Sequence, residues 1–97
     1  MAISGPVIGA TSTLAVEENI KGLRRLLVLC NNSDEDMYAC PGPVAISTQG
    51  IPLVAGGGSW TDKPDTQGWM YQGQYKAICA SGGKILSVTE LNRYGPQ

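Results

Sequence analysis

Short apolar stretches alternate with polar turns along the whole chain, and this pattern is typical of β-strands. Apolar and polar residues alternate in residues 85–91, so one face of that strand points inward. Residues 3–10 alternate poorly around Gly5 and Pro6, which favours an arm or an edge strand over a central one. The pattern predicts further strands at residues 13–17, 24–30, 37–40, 44–47, 51–54 and 74–80, and a flexible glycine corner at residues 56–58.

The strand at residues 24–30 has the least typical pattern, because residues 26–30 are all apolar. Such a strand is covered on both faces, whereas one face of a two-layer sandwich normally meets water. Something else must therefore cover the second face, either a loop of the same chain or a neighbouring subunit. The pattern alone does not separate these two alternatives.

Three connections carry clear turn signals. The polar run at residues 31–36 leads into residues 37–40, which we expect to return as the second strand of a hairpin. Residues 81–83, Ser-Gly-Gly, predict another hairpin between the last two strands. Residues 62–68 are the most loop-like stretch of the chain, and we expect them to be exposed.

Length and composition indicate one small all-β domain. A chain of 97 residues can bury one core, and its 13 glycines and 6 prolines mark frequent turns. We predict a small single-domain β-sandwich or jelly-roll-like barrel, mostly antiparallel, with an extended N-terminal arm. The predicted arm covers residues 1–11, the sandwich residues 12–92 and a polar C-terminal tail residues 93–97.

The charge balance argues against nucleic acid as a partner. Seven Lys and Arg face eight Asp and Glu, giving a net charge of −1, so the chain has no basic field to hold a phosphate backbone. We therefore expect no direct nucleic-acid binding.

No apolar run approaches the roughly 18 residues that span a bilayer, and residues 1–6 lack the features of a secretion signal. We expect synthesis in the cytoplasm and no membrane association.

The cysteines do not indicate a metal site. Cys30, Cys40 and Cys79 form no Cys-x-x-Cys pair, and the chain has no histidine, so the usual zinc ligand sets are missing. Cys30 and Cys40 would face each other across the predicted hairpin, where a disulfide is possible in principle. In a cytoplasmic protein, small buried hydrophobic residues are the commoner use of cysteine.

Motifs for catalysis are missing from the sequence. The glycine-rich segments at residues 56–59 and 81–84 do not match a phosphate-binding loop, and glycine in turns is their ordinary use. The acidic run at residues 34–36 lacks the spacing of a calcium loop. Without histidine, a Ser or Cys nucleophile has no recognisable base, and no nucleophile motif occurs. We predict a non-enzymatic protein with no catalytic residue, cofactor or metal.

Aromatic residues cluster late in the chain, at Trp60, Trp69, Tyr71 and Tyr75. They are suited to an exposed platform for a sugar ring or a protein partner. They are equally suited to capping a small core, where they bury a large area and leave a polar tip in water.

The order of these signals resembles a known group of viral proteins. An apolar arm is followed by KGLRRLLVLCNNS (residues 21–33), PGPVA (41–45), GIPLVAGGGSW (50–60), YKAICASGG (75–83) and LSVTE (86–90). This order is similar to that of small β-sandwich proteins encoded among the structural genes of tailed bacteriophages. The resemblance covers about residues 12–91, and its motifs are structural rather than catalytic.

The resemblance implies a virion component, most often a cement or decoration protein on the capsid surface that binds the major capsid protein. Self-association is compatible with such a role, because the arm at residues 2–10 can add a strand to a neighbour's open edge. The apolar strand at residues 24–30 can pack in a closed homo-oligomer, for example a trimer at lattice three-folds. Deleting residues 1–10 should then weaken attachment and leave the fold intact. Two alternatives stay open: a head-tail, tail or fibre adaptor, and a carbohydrate-binding module. The predicted partner-contact residues are Ile3, Val7, Ile8, Leu26, Val28, Trp60, Trp69 and Tyr71.

Overall fold

Ten strands, paired antiparallel throughout, make up the fold of residues 2–92, the part of the chain that the computed structural model describes. No helix occurs within these residues. The strands are β1 (Ala2–Ser4), β2 (Val7–Ile8), β3 (Thr13–Val16), β4 (Arg24–Asn31), β5 (Met37–Pro41), β6 (Ile51–Leu53), β7 (Gly58–Asp62), β8 (Tyr75–Cys79), β9 (Lys84–Ile85) and β10 (Ser87–Asn92).

The strands form two sheets and a small ribbon. The first sheet has the order β1-β10-β4-β7, and the second has the order β3-β8-β5-β6. Strands β2 and β9 form a two-stranded ribbon that continues from β1 and β10. The prediction of a small, mostly antiparallel β-sandwich is therefore confirmed.

The core lies between the two sheets because each central strand turns alternate side chains inward. In β4, Leu27 and Leu29 are completely buried, and in β8 Tyr75, Ala77 and Cys79 are buried. The cluster is completed from the other strands and one loop by Ile8, Ala15, Val16, Met37, Ala39, Leu53, Met70, Leu86 and Val88. Burial of this apolar surface is the main force that holds the sheets together.

The second face of β4 is only partly covered. Leu26, Val28 and Cys30 alternate with the buried residues of this strand and are half-buried. The prediction that β4 is covered on both faces is therefore not met within this chain. The apolar run places three apolar side chains on a surface that still contacts solvent.

The two predicted hairpins are wrong. Strands β4 and β5 lie in different sheets, so residues 32–36 cross from the first sheet to the second. Residues 80–83 likewise cross from β8 to the ribbon strand β9, which pairs with β2. Turn residues of the same type serve a hairpin and a crossing equally well, and only packing around the shared core distinguishes the two.

The strand predicted at residues 44–47 is also wrong. The backbone there is held locally, since Ala45 N donates to Ser12 Oγ at 2.9 Å and Gln49 N donates to Ile46 O at 3.1 Å. Ala45 is buried, whereas Val44 and Ile46 are about half exposed. Alternation of one buried residue with two exposed ones produces a strand-like pattern without a strand.

The N-terminal segment is part of the sandwich. Strand β1 is an edge strand on β10, β2 pairs with β9, and Cys79 N donates to Gly9 O at 3.1 Å. Ile8 is fully buried in the core. Deletion of residues 1–10 would therefore remove a core side chain, so the expectation of an intact fold after that deletion is corrected. The predicted tail at residues 93–97 lies outside the described residues.

The cysteines are all free. Cys30 is on the outward side of β4 in the first sheet, and Cys40 is on the outward side of β5 in the second sheet. The two side chains therefore face away from each other across the sandwich, and the hairpin disulfide that the sequence allowed is not formed. Cys79 is a buried core residue, and burial raises the pKa of its thiol.

Candidate functional site

The outer face of the first sheet gathers several of the predicted partner-contact residues. Register places Ile3 opposite Thr89, Thr89 opposite Val28, and Val28 opposite Thr61, so one row crosses all four strands. Directly opposite residues share a face, which makes this row continuous. We define the outer face of the first sheet as Ile3, Leu26, Val28, Cys30, Ser59, Thr61, Ser87, Thr89 and Leu91.

No charged side chain belongs to this nine-residue outer face. Ile3 at its edge is 72% exposed, and Leu26 and Val28 at its centre are half-buried. A depression of about 430 Å³ lies at one end, beside Leu26 and Leu91, and is also lined by Arg25, Lys63 and Pro64. The face is thus uncharged and partly apolar at its centre, with two cationic residues at one end.

The outer face of the second sheet differs in charge. It carries Tyr38, Pro52 and Ile78 in one row and Leu14, Lys76 and Cys40 in the next. Lys76 is therefore placed near the middle of this face. Interface centres are depleted in charged residues, so the first sheet offers the better docking surface of the two.

The predicted contact residues Val7, Ile8 and Trp69 do not lie on the outer face of the first sheet. Val7 is 58% exposed on the ribbon, opposite the 59% exposed Ile85. Ile8 is a core residue and not a surface residue. Trp69 is 68% exposed on the loop that precedes β8.

The aromatic residues serve the core more than the surface. Trp60 and Tyr71 pack against the core, with ring centroids 5.8 Å and 5.4 Å from that of the buried Tyr75. Trp69 alone among Trp60, Trp69, Tyr71 and Tyr75 is exposed, so the residues proposed as a sugar platform do not share one face. Burial raises the pKa of the Tyr75 hydroxyl, and the nearby Asp62 carboxylate adds to this effect.

A buried polar network around Arg24 joins the start of β4 to β10, to the segment after β3 and to the loop before β8. The Arg24 side chain is completely buried, and its Nε donates to Glu90 Oε2 at 2.5 Å. Its Nη1 donates to the carbonyls of Tyr71 and Gly73, each at 3.1 Å, and its Nη2 donates to that of Glu17 at 2.9 Å. This network was missed at the sequence level. The only signal for it was a pair of arginines at the start of an apolar strand.

Gln72 extends this network by pairing with backbone groups. Its side-chain oxygen accepts from Arg24 N and its side-chain nitrogen donates to Arg24 O, both at 2.8 Å. Its own carbonyl accepts from Asn19 N at 2.7 Å, and Asn19 Nδ2 donates to Asn92 Oδ1 at 2.8 Å. The network therefore fastens the loop before β8 to the ends of β4 and β10, and its role is structural.

The acidic turn between β4 and β5 uses its carboxylates within the chain. Asp34 forms an ion pair of 2.8 Å with Lys84, and Asp36 Oδ1 accepts from Ala55 N at 2.8 Å. Glu35 accepts hydrogen bonds from the backbone N–H and the hydroxyl of Ser81. These bonds lower the pKa of Glu35, and the Lys84 ammonium lowers that of Asp34.

Acidification is expected to release Ser81 from Glu35. Because the folded-state pKa of Glu35 is lowered, the contact is present at and above the ordinary glutamate pKa and is lost as the pH falls through the lowered value. In an NMR titration, the Ser81 amide proton should shift with the same midpoint as the Glu35 carboxyl carbon, below the ordinary range. Glu35→Gln should abolish this transition, and a midpoint at or above the ordinary pKa would contradict the expectation.

Within residues 2–92, no three His, Cys, Asp or Glu side chains come together in a way that could hold a metal ion. Over the same residues, no helix is long and apolar enough to cross a membrane.

Comparison with protein-family models, curated proteins and solved structures finds no match for this chain. The fold and its surfaces therefore define a class, the small antiparallel β-sandwich, and the functional argument starts from those surfaces.

Proposed function

We propose that this chain is a non-enzymatic virion structural protein of a tailed bacteriophage, a capsid cement or decoration protein that binds the major capsid protein lattice. The observation that carries the proposal is the outer face of the first sheet, nine residues without a charge on four paired strands. Uncharged, partly apolar faces of this kind are typical of interface centres. The sequence resemblance to phage sandwich proteins supplies the identity of the partner.

A rigid sandwich is well suited to this function. A protein that binds the assembled shell more tightly than the free shell subunits stabilises the assembled state by ordinary linkage. The central strand β4 contributes Leu26 and Val28 to the docking face and Leu27 and Leu29 to the core. The docking face and the core are therefore built on the same central strand. Arg25 and Lys63 at one end favour an acidic patch on the shell.

Copy number tests the location in the virion. Quantitative mass spectrometry of purified particles should give this chain in a ratio near one to the major shell protein, or in a simple lattice proportion. A handful of copies per particle would overturn the cement role in favour of a tail or fibre adaptor. Complete absence from the particle would overturn the virion proposal altogether.

A charge at the centre of the outer face should abolish docking. Val28→Glu is expected to reduce binding to particles that lack this chain by at least about ten-fold, because an unpaired buried charge costs more than ~1.4 kcal/mol. Binding is measured by co-sedimentation of the purified chain with those particles. Circular dichroism of the free variant confirms that it remains folded.

The matched control is Ile78→Glu, which places the same charge at a half-buried outward position in the centre of the second sheet. This variant should bind like the original chain. Equal loss in both variants would show that the effect is not specific to the first sheet. Full binding by Val28→Glu would contradict docking through this face.

A further inference from the structure

A groove runs along one side of the sandwich, between the edge strands of the two sheets. One wall is formed by residues 4–6 at the end of β1, and the other by β3 and Glu17. Val88 and Glu90 of β10 contribute to the lining between these walls. The groove has a volume of about 510 Å³, which is in the range of pockets that hold small ligands or short peptides.

Each wall includes part of a strand edge, at Ser4 of β1 and at residues 14–16 of β3, whereas Pro6 has no N–H and its carbonyl accepts from Leu86 N at 3.1 Å. Within the described residues, β1 pairs only with β10, and β3 pairs only with β8. An edge strand leaves alternate N–H and C=O groups without a strand partner. Such groups recognise extended peptide backbone, because an added strand satisfies them in the regular ladder geometry. The groove is therefore suited to an extended chain.

The Glu90 carboxylate supplies a hydrogen-bond acceptor in the groove lining. Its side chain is 11% exposed and contributes to the groove lining, and its Oε2 accepts from Arg24 Nε. Its Oε1 accepts no hydrogen bond from any residue of the range 2–92 and is therefore reached by solvent, because no buried side-chain oxygen in that range lacks a partner. The Arg24 guanidinium already balances the charge of Glu90, so Oε1 offers a hydrogen-bond acceptor rather than an unpaired charge.

Glu17 carries the uncompensated charge of the groove. Glu17 and Glu90 are the two charged residues among those that line it, and the charge of Glu90 is paired with that of Arg24. The remaining lining residues are small or apolar: Ser4, Gly5, Pro6, Leu14, Ala15, Val16 and Val88. A matching occupant carries a cation flanked by small apolar side chains.

We propose that this groove binds an extended peptide segment of a partner protein, with a Lys or Arg side chain directed at Glu90 and Glu17. The segment adds to the β1 or β3 edge as a further strand, and its apolar residues contact Ala15 and Val88. The proposal does not depend on the virion role, since the groove and the outer face of the first sheet share no residue.

Three synthetic peptides test the proposal on the full chain: acetyl-Thr-Val-Lys-Val-Ser-amide and its analogues with norleucine or glutamate in place of lysine. The lysine peptide should shift the amide signals of Ala15 and Val88 and the carboxyl signal of Glu90 in NMR titrations. It should bind about ten-fold more tightly than the norleucine analogue, a difference of ~1.4 kcal/mol. Equal binding of the lysine and norleucine peptides would overturn the role of the carboxylates.

Two neighbouring glutamates supply a matched pair of variants. Glu17 lines the groove, whereas the adjacent exposed Glu18 does not. Glu17→Gln should weaken the lysine peptide by about two- to five-fold, the range of an exposed ion pair, and Glu18→Gln should leave it unchanged. Both variants preserve the buried Arg24–Glu90 pair, so both should fold.

Other occupants would give different results. If a second copy of this chain fills the groove, the Ala15 and Val88 amide signals will shift with protein concentration in the absence of peptide. If the peptides bind elsewhere, the shifts will map to another surface, such as the outer face of the first sheet. Either result would overturn the peptide proposal.

Discussion

Arg24→Ala is expected to lower the free energy of unfolding by about 3–5 kcal/mol, the usual cost of breaking a buried ion pair by removing one partner. The substitution leaves the Glu90 carboxylate largely buried without its cation. It also removes the donors that the carbonyls of Glu17, Tyr71 and Gly73 accept from. A domain of this size has a total stability of about 5–15 kcal/mol, so the loss is a large fraction of it. Chemical denaturation measures the change.

The next residue is the matched control. Arg25 is exposed, and Arg25→Ala should change the free energy of unfolding by no more than about 0.5 kcal/mol. The two variants remove the same side chain from adjacent positions, so the difference between them reports burial and hydrogen bonding. Similar effects in both variants would contradict the structural role of the Arg24 network.

A double variant separates the ion pair from the hydrogen bonds to the loops. Arg24→Met with Glu90→Leu removes both charges, so no carboxylate is left buried and unpaired. We expect this double variant to recover part of the stability lost in Arg24→Met. Recovery should be incomplete, because the carbonyls of Glu17, Tyr71 and Gly73 still lack their donors. A double variant less stable than the single one would show that the orphaned carboxylate is not the main cost.

Tyr75→Ala is expected to cost about 3–5 kcal/mol, the range for removing a buried aromatic side chain. Tyr75 is 1% exposed, and its ring contacts those of Trp60 and Tyr71. The Arg24 guanidinium carbon lies 5.8 Å from the centroid of the same ring. The substitution therefore opens a cavity where the two sheets, the loop before β8 and the Arg24 network meet. Thermal and chemical denaturation measure the loss.

Two variants identify the cause of this effect. Tyr75→Phe removes only the hydroxyl, which donates a long hydrogen bond of 3.4 Å to Asp62 Oδ2, so it should cost less than about 1.5 kcal/mol. Tyr38→Ala removes an aromatic side chain from the half-buried outer face of the second sheet and should cost clearly less than Tyr75→Ala. Equal losses for Tyr38→Ala and Tyr75→Ala would contradict the central role of the Tyr75 ring.

The surfaces were only partly predictable from the chain. The apolar run at residues 26–30 correctly indicated that β4 has two apolar faces, and Leu26 and Val28 lie on the outer one. Ile8 was assigned to the same kind of surface, yet it is completely buried. Hydrophobicity shows that a residue favours removal from water, but it does not show whether its own chain or a partner covers it.

The sequence by itself determined the all-β class and the approximate positions of most strands. Its short apolar stretches and frequent turn residues act locally, and each limits the backbone of only a few residues. Tertiary structure alone decided which strands pair, because the turns at residues 32–36 and 80–83 are compatible with a hairpin or a crossing. It also decided the Arg24–Glu90 contact and the groove beside it. Those two residues are 66 positions apart, and no local pattern records a contact made only when two distant strands share a sheet.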